Sequence, residues 1–239
     1  MGYYPIFIEM QGRAVLLVGG GHVALEKIGK LVDAGARVTV IAPTLIDEVS
    51  ALATRGRVDW RPRPFAPGDT TGFDMVMVAT DDGAVNQAVA NEARAAGIWV
   101  NTADDLANCD FILPSLATRG TIAIAVSTGG TSPALARWLR GRMEEFLSED
   151  VERLGDLLAD VRLATRERDR QCAATCDRTQ PPPPLLCRHC PNRIYPDRWQ
   201  DAIDDDLLVL LRGGDYAAAR ARLTATLGLD QPLRERDAR

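Results

Sequence analysis

The chain is short of lysine. Of its 28 basic residues only Lys27 and Lys30 are lysines, which leaves 28 less 2, or 26, arginines. Acids outnumber bases by 33 to 28, for a formal net charge of −5. That balance argues against a nucleic-acid partner, whose recognition needs a dominant basic footprint. No apolar stretch approaches the roughly 20 residues that a membrane-spanning helix needs. The opening MGYYPIFIEMQGR has neither the basic start nor the apolar core of a secretion signal. Gly2 is not followed by the Ser or Thr that myristoylation requires at the sixth position. These absences lead us to expect a soluble cytoplasmic chain, bound to neither nucleic acid nor membrane, with its five cysteines reduced. The abundant arginine offers planar, forked donors suited to carboxylates.

What is present falls into two regimes. Up to about residue 113, short apolar runs alternate with helical patterns. AVLLV (14–18), RVTVIA (37–42), MVMVA (75–79), IWV (98–100) and FIL (111–113) read as strands. Most are continuously apolar rather than alternating, as in a parallel sheet covered on both faces. Ala24, Ile28, Leu31 and Val32 fall at helical spacing between them, and so do Val85, Val89, Glu92, Ala93 and Ala96. Glu92 is a polar intruder on that second apolar face. Gly35 and Gly97 stand where helices stop. Strand and helix in alternation predict an α/β fold, a Rossmann-type doubly wound parallel sheet.

Beyond Pro114 a further strand, TIAIAV (121–126), leads into the polar loop STGGTSP (127–133), with Ser132 and Pro133 placed to start a long helix. The same loop residues suit an anion nest equally well. Helical sequence continues to about Arg170. The segment 172–192 interrupts it with five prolines and four cysteines, and two more helical patterns follow, one from Trp199 to Leu211 and one from Tyr216 to Leu227. The expected organisation is a dinucleotide-binding domain over 1–113, a second region over 114–150 and a helical part over 151–239 with a Cys/Pro-rich insert at 172–192.

The first turn carries the clearest chemistry. Gly19, Gly21 and Ala24 form G-x-G-x-x-A directly after a predicted strand and at the start of a predicted helix. Such a turn needs a first glycine for tightness, a second to admit a pyrophosphate, and a small third residue for packing. The helix start then presents free N–H groups and a positive dipole end to phosphate. The acidic residue that usually closes the second strand and holds the ribose is missing; Ala42, Pro43 and Thr44 stand there. That rule therefore does not discriminate NAD from NADP here.

PIFIEMQGRAVLLVGGGHVALEK, VMVATDDGAVNQAVA, VNTADDLANCDFILPS and IAIAVSTGGTSPALARWLR, taken in this order, resemble the precorrin-2 dehydrogenase/sirohydrochlorin ferrochelatase family, the first module of siroheme synthases. The likeness covers roughly residues 4 to 150 and fades beyond about 170. It implies NAD-dependent oxidation of precorrin-2 to sirohydrochlorin and, in some members, insertion of ferrous iron. It also implies a homodimer formed by the region from Pro114 onward. By resemblance Asp104 is the catalytic aspartate. Residue spacing alone favours a turn or cap carboxylate for it, in a loop rich in Asp and Asn. His22, Val23, Pro43 and Thr44 match cofactor-contacting positions, while Thr80 and Asp81 border the nicotinamide side. Thr128 stands where a relative carries a phosphorylatable serine. Arg119, Arg137 and Arg140 are candidates for pairing with the tetrapyrrole carboxylates, although solvated charge is the ordinary role of such residues. The rival reading keeps the fold but makes the chain an NAD-binding redox or metal sensor without catalysis, because fold alone does not fix function.

The cysteines are the part that the resemblance leaves unexplained. Cys172, Cys176, Cys187 and Cys190 form C-x3-C and C-x2-C pairs, spacings that let two thiolates reach one metal. Zinc and an iron–sulfur cluster are both expected candidates, since each takes four thiolates. Reduced thiols in a linker, or a pair that oxidises in air, are the alternatives.

Overall fold

The protein is described here by a computed structural model covering residues 2–103, 105–174, 190 and 192–233. It forms two compact units. The first is built from the chain up to Pro114 together with Ser127–Pro133, the second from Ser115–Val126 and from Ala134 onward.

The first unit is the doubly wound sheet that the strand pattern predicts. Five parallel strands, β1 (Ala14–Val18), β2 (Arg37–Ile41), β3 (Asp59–Arg61), β4 (Met75–Val78) and β5 (Trp99–Thr102), lie in the order β3-β2-β1-β4-β5. The continuous apolar runs make sense residue by residue, because successive side chains serve opposite faces. Val15 and Leu17 point to one face, where Ala24, Ile28 and Leu31 of α1 (His22–Asp33) cover them. Leu16 and Val18 point to the other, beneath Val89, Ala90 and Ala93 of α3 (Gly83–Ala95). Helix α2 (Asp47–Thr54) connects β2 to β3.

Glu92, the intruder on the apolar face of α3, reaches the 66–70 loop. Its carboxylate accepts from Gly68 N at 2.9 Å, Thr70 N at 3.0 Å and the Thr70 hydroxyl at 2.6 Å. Burial pushes this carboxyl up, but the three hydrogen bonds outweigh burial and the net shift is downward. A carboxyl lowered in this way stabilises the fold above its unfolded value of about 4.3, and the contribution is lost as pH falls through the folded value. Glu92→Gln sets an amide donor among three donors and is predicted to cost about 1–3 kcal/mol. In chemical denaturation, the gap between wild type and variant should be constant above about pH 4.3 and narrow below it. A gap that grows on acidification would contradict this account.

Two expectations need correcting. Phe111–Leu113 is not a strand: the edge of β5 is occupied by Asp110, whose N–H donates to Val100 O at 2.8 Å and whose carboxylate accepts from Val100 N at 3.0 Å. The Phe111 carbonyl is taken by the Asn101 side chain at 3.0 Å, and Pro114 has no N–H to offer a ladder. The pattern from Trp199 to Leu211 is not one helix. It divides into α6 (Pro196–Asp201) and α7 (Asp205–Arg212), because Asp204 caps a new start by accepting from Leu207 N at 2.8 Å.

The second unit holds an antiparallel pair, β6 (Ser115–Arg119) and β7 (Ile122–Val126), so the run at 121–126 is a strand but not part of the parallel sheet. Helix α4 (Pro133–Phe146) begins at the end of the first unit and continues into the second, where α5 (Glu149–Ala174) follows it. Leu154, Leu157 and Val161 of α5 pack with Leu207 and Leu211 of α7 and with Ala219, Leu223 and Leu227 of α8 (Tyr216–Leu227). Gly228 closes α8 in the left-handed conformation, φ 68°, which glycine adopts without strain. Arg222 donates to Asp204 at 2.6 Å, and this bond holds the Asp204 carboxyl below its ordinary range.

Candidate active site at the carboxyl edge of the sheet

Gly19, Gly20 and Gly21 leave β1 and open α1, and each glycine has a different reason to be there. Gly19 has φ +122°, and a Cβ on it would stand 2.1 Å from the Ala79 carbonyl oxygen at the end of β4. A Cβ on Gly20 would meet Thr44 O at 2.4 Å, and the Gly20 carbonyl accepts from Ile46 N at 3.0 Å. These two glycines let three strand ends approach one another. At Gly21 a Cβ would meet nothing within 4 Å, so this position opens onto room.

That room adjoins the start of α1, where no side chain caps the helix and no acid sits in the first turn. The first N–H groups of a helix lack partners within it, and they carry the positive end of its dipole. His22 and Val23 are exposed at this start. By contrast Asp82 caps α3, accepting from Ala84 N at 2.8 Å and Val85 N at 3.1 Å. An uncapped N-terminus, an open Gly21 and a sheet edge at the point where strand order reverses fit a dinucleotide pyrophosphate.

The flanking residues line the same edge. Pro43 and Thr44 follow β2 and are exposed. Thr80 and Asp81 follow β4, but the two differ. The Thr80 hydroxyl donates to Asn86 Oδ1 at 2.6 Å and so fastens the β4–α3 turn, whereas Asp81 is exposed. Asp104 lies outside the described residues; the positions on both sides of it are well tied. Ala103 N donates to Val78 O at 2.9 Å, and the Asp105 carboxylate accepts from Asn108 Nδ2 at 2.8 Å.

Beneath this loop lies a polar group that the sequence reading did not single out. Lys27 is 9% exposed on the apolar face of α1, and its ammonium donates to Asn101 Oδ1 of β5 at 2.7 Å. Asn101 Nδ2 in turn reaches Phe111 O at 3.0 Å and Cys109 Sγ at 3.5 Å. Burial pushes the Cys109 thiol up, partly offset by the Thr102 N–H and by the charge of Lys27. A signal was available: Lys27 falls three residues after Ala24 and one before Ile28, on the buried stripe. A separate hollow lined by Met10, Arg13, Asp74 and Trp99 lies at the amino ends of β4 and β5, away from the glycine turn.

The Thr128 hydroxyl donates to Ser132 O at 3.0 Å and accepts from Ser132 N at 3.1 Å, so it builds the loop before α4. Arg119 and Arg140 face Glu152 at 3.8 Å and Glu144 at 3.7 Å respectively. Among the described residues no three His, Cys, Asp or Glu side chains gather as a metal site. The expected four-thiolate set is therefore not assembled within them. Cys172 and Cys190 are described, and Cys176 and Cys187 lie outside the described residues. No helix among the described residues is long and apolar enough to cross a membrane.

Comparison with known proteins agrees with this geometry. Residues 6–115 match a family model described as putative NAD(P)-binding, and residues 119–145 match the central part of sirohaem biosynthesis proteins. The siroheme synthase of Methylococcus capsulatus is 41% identical over 227 residues, 93% of this chain and 45% of that protein. That match runs past residue 170, where the motifs fade. The siroheme synthase of Chromobacterium violaceum is 35% identical over 223 residues, again 93% of this chain and 43% of that protein. The chain thus spans less than half the length of these curated relatives. The solved structure of SirC, a precorrin-2 dehydrogenase, superposes with a TM-score of 0.68 at 22% identity, covering 93% of this chain and 100% of that one. At that identity the likeness is one of fold. Together with the parallel sheet, these matches show that the chain is similar to the NAD(P)-binding and central parts of siroheme synthases.

Proposed function

We propose that this chain is an NAD-dependent precorrin-2 dehydrogenase that forms sirohydrochlorin. The observation that carries the reading is the uncapped start of α1 behind an open Gly21. NAD, when bound, supplies the acceptor for the hydride that the reaction removes. The chain's own residues do the rest. Gly19 and Gly21 make and open the turn, the main chain at His22 and Val23 offers donors to phosphate, and Pro43 and Thr44 border the adenosine side. Thr80 shapes the edge beside the nicotinamide, with Asp81 next to it. Asp104 takes the proton released as the hydride leaves, so charge and atoms balance. Insertion of ferrous iron into sirohydrochlorin at the same edge is the second activity proposed with it.

The test is to mix purified chain, precorrin-2 and NAD and follow absorbance. A rise from NADH supports the enzyme, and siroheme formed on adding ferrous iron supports chelation. NAD binding without turnover would favour the sensor and overturn the dehydrogenase.

We also propose a homodimer formed through residues 114–150. Trp138 and Phe146 of α4, each 62% exposed, support it. Light scattering is expected to give twice the chain mass of 26.0 kDa at micromolar concentration, and a monomer there would end the idea. A second ligand is proposed for the helical unit: a metal, zinc or an iron–sulfur cluster, at Cys172, Cys176, Cys187 and Cys190. The Cys172 and Cys190 sulfurs, 3.2 Å apart, support it.

A further inference from the structure

Lys27 shares the buried stripe of α1 with Ala24, Ile28 and Leu31. Those three meet the sheet through apolar contact, and an apolar side chain would fill the remaining place as well. An ammonium taken out of water is costly, and replacing buried ionic groups with apolar ones of similar volume is often neutral or stabilising. Packing therefore does not account for the lysine. What sets it apart is where its charge ends: Nζ crosses to β5 and donates to Asn101 Oδ1 at 2.7 Å.

An ammonium carries donors only, so it dictates how the Asn101 amide lies, with Oδ1 toward Lys27 and Nδ2 turned away. From that side Nδ2 donates to Phe111 O at 3.0 Å and reaches Cys109 Sγ at 3.5 Å. Cys109 Sγ accepts from Thr102 N at 3.2 Å, and the Thr102 hydroxyl donates to Asn108 O at 3.2 Å. The chain entering the loop at 101–102 is thus joined to the chain leaving it at 108–111. One amide makes the central link, and Lys27 sets its orientation.

We propose that Lys27 is a positioning residue for the dehydrogenation: by orienting Asn101 it holds the base of the loop that carries Asp104 at the carboxyl edge of the sheet. The inference rests on the reading of this chain as a precorrin-2 dehydrogenase with Asp104 as its base, and adds a residue that acts through another. The helix whose start faces the pyrophosphate then also fixes, from its second turn, the loop of the proton acceptor. A single element relates cofactor to base. Misplacing a reacting group by about 1 Å can cost about 100-fold in rate, so the hold has a kinetic consequence out of proportion to its size.

Lys27→Met keeps the length of the side chain and completes the stripe with an apolar group. Its melting temperature and its Kd for NAD should match those of the unmodified chain, while kcat for precorrin-2 falls about 10- to 100-fold. The amides of residues 102–110 should exchange with solvent faster, a reading that needs no turnover. Asn101→Leu should lose as much activity, and the double variant no more than either single one, because the two residues act in series. Should Lys27→Met fail to fold, Lys27→Gln, one bond shorter than lysine, takes its place; if that also fails, Lys27 is structural and the inference falls. Undiminished kcat or unchanged loop exchange in a folded variant overturns the positioning role, and so do losses that add in the double variant. An unmodified chain that binds NAD but oxidises no precorrin-2 overturns the dehydrogenase reading and this inference with it, which tells that failure apart from one of Lys27 alone.

Discussion

Asp104→Asn is expected to leave a folded chain that binds NAD and turns over precorrin-2 about 100- to 10,000-fold more slowly, the usual contribution of a positioned general base. The substitution keeps the size of the side chain and removes only its ability to take a proton. Loss should appear in kcat with little change in the Kd for NAD, because a group that acts on the departing proton contributes only in the transition state. The neighbouring carboxylate is the natural control. Asp105 accepts from Asn108 N and from Asn108 Nδ2, so its oxygens are committed to the short 3-10 turn at Leu106–Asn108. Asp105→Asn should loosen that turn and lower the melting temperature, with a smaller effect on the chemical step. Near-normal turnover in Asp104→Asn, or an equal loss in both variants, would remove Asp104 from the catalytic role.

Gly19→Ala is the substitution with the largest expected effect on the fold. The new methyl would lie 2.1 Å from Ala79 O and 2.7 Å from Ala79 C, both backbone atoms of the adjoining strand end. Neither can swing aside as a side chain would. A non-glycine residue held at φ +122° adds backbone strain. Strain and overpacking together are expected to cost about 2–6 kcal/mol, and the distorted turn should no longer bind NAD. Gly21→Ala separates the two consequences. Its methyl meets nothing within 4 Å and its φ of −93° suits any residue, so the melting temperature should hold. The methyl occupies the room assigned to the pyrophosphate, and NAD should bind about tenfold more weakly or worse, at least 1.4 kcal/mol. Calorimetry of the two variants checks both halves. Unchanged NAD affinity in Gly21→Ala would mean that the pyrophosphate does not lie against this turn.

Much of the first unit was legible because its signals are local. The glycine turn needs residues of one size at fixed offsets, and each central strand is a short apolar run between breakers. What escaped depends on partners distant in sequence. β3 has only three residues, with charge at either end, and exists through its pairing with β2. FIL has strand composition, but Asp110 occupies the neighbouring edge before it can pair. Glu92 looked out of place on its helix because its three donors lie more than 20 residues away. Asp204 looked like a polar position within one helix when it is the cap of the next. At the site the same division holds. The glycines announce themselves, whereas the Lys27–Asn101 bond joins residues 74 apart and no motif encodes it.

The way the five-stranded sheet ends has a consequence for how the chain meets its neighbours. A long bare strand at a sheet margin is a template on which another chain can add itself. One margin here is β3, three residues long with Asp59 and Arg61 at its ends, and a short charged strip offers little to copy. At the other, Asp110 already engages both main-chain groups of Val100. Addition of a foreign strand is thus discouraged on both sides, even in a crowded solution of newly made chains. Self-association through the parallel sheet would have to use side chains, whose fit can be selective, rather than the indiscriminate ladder of main-chain hydrogen bonds.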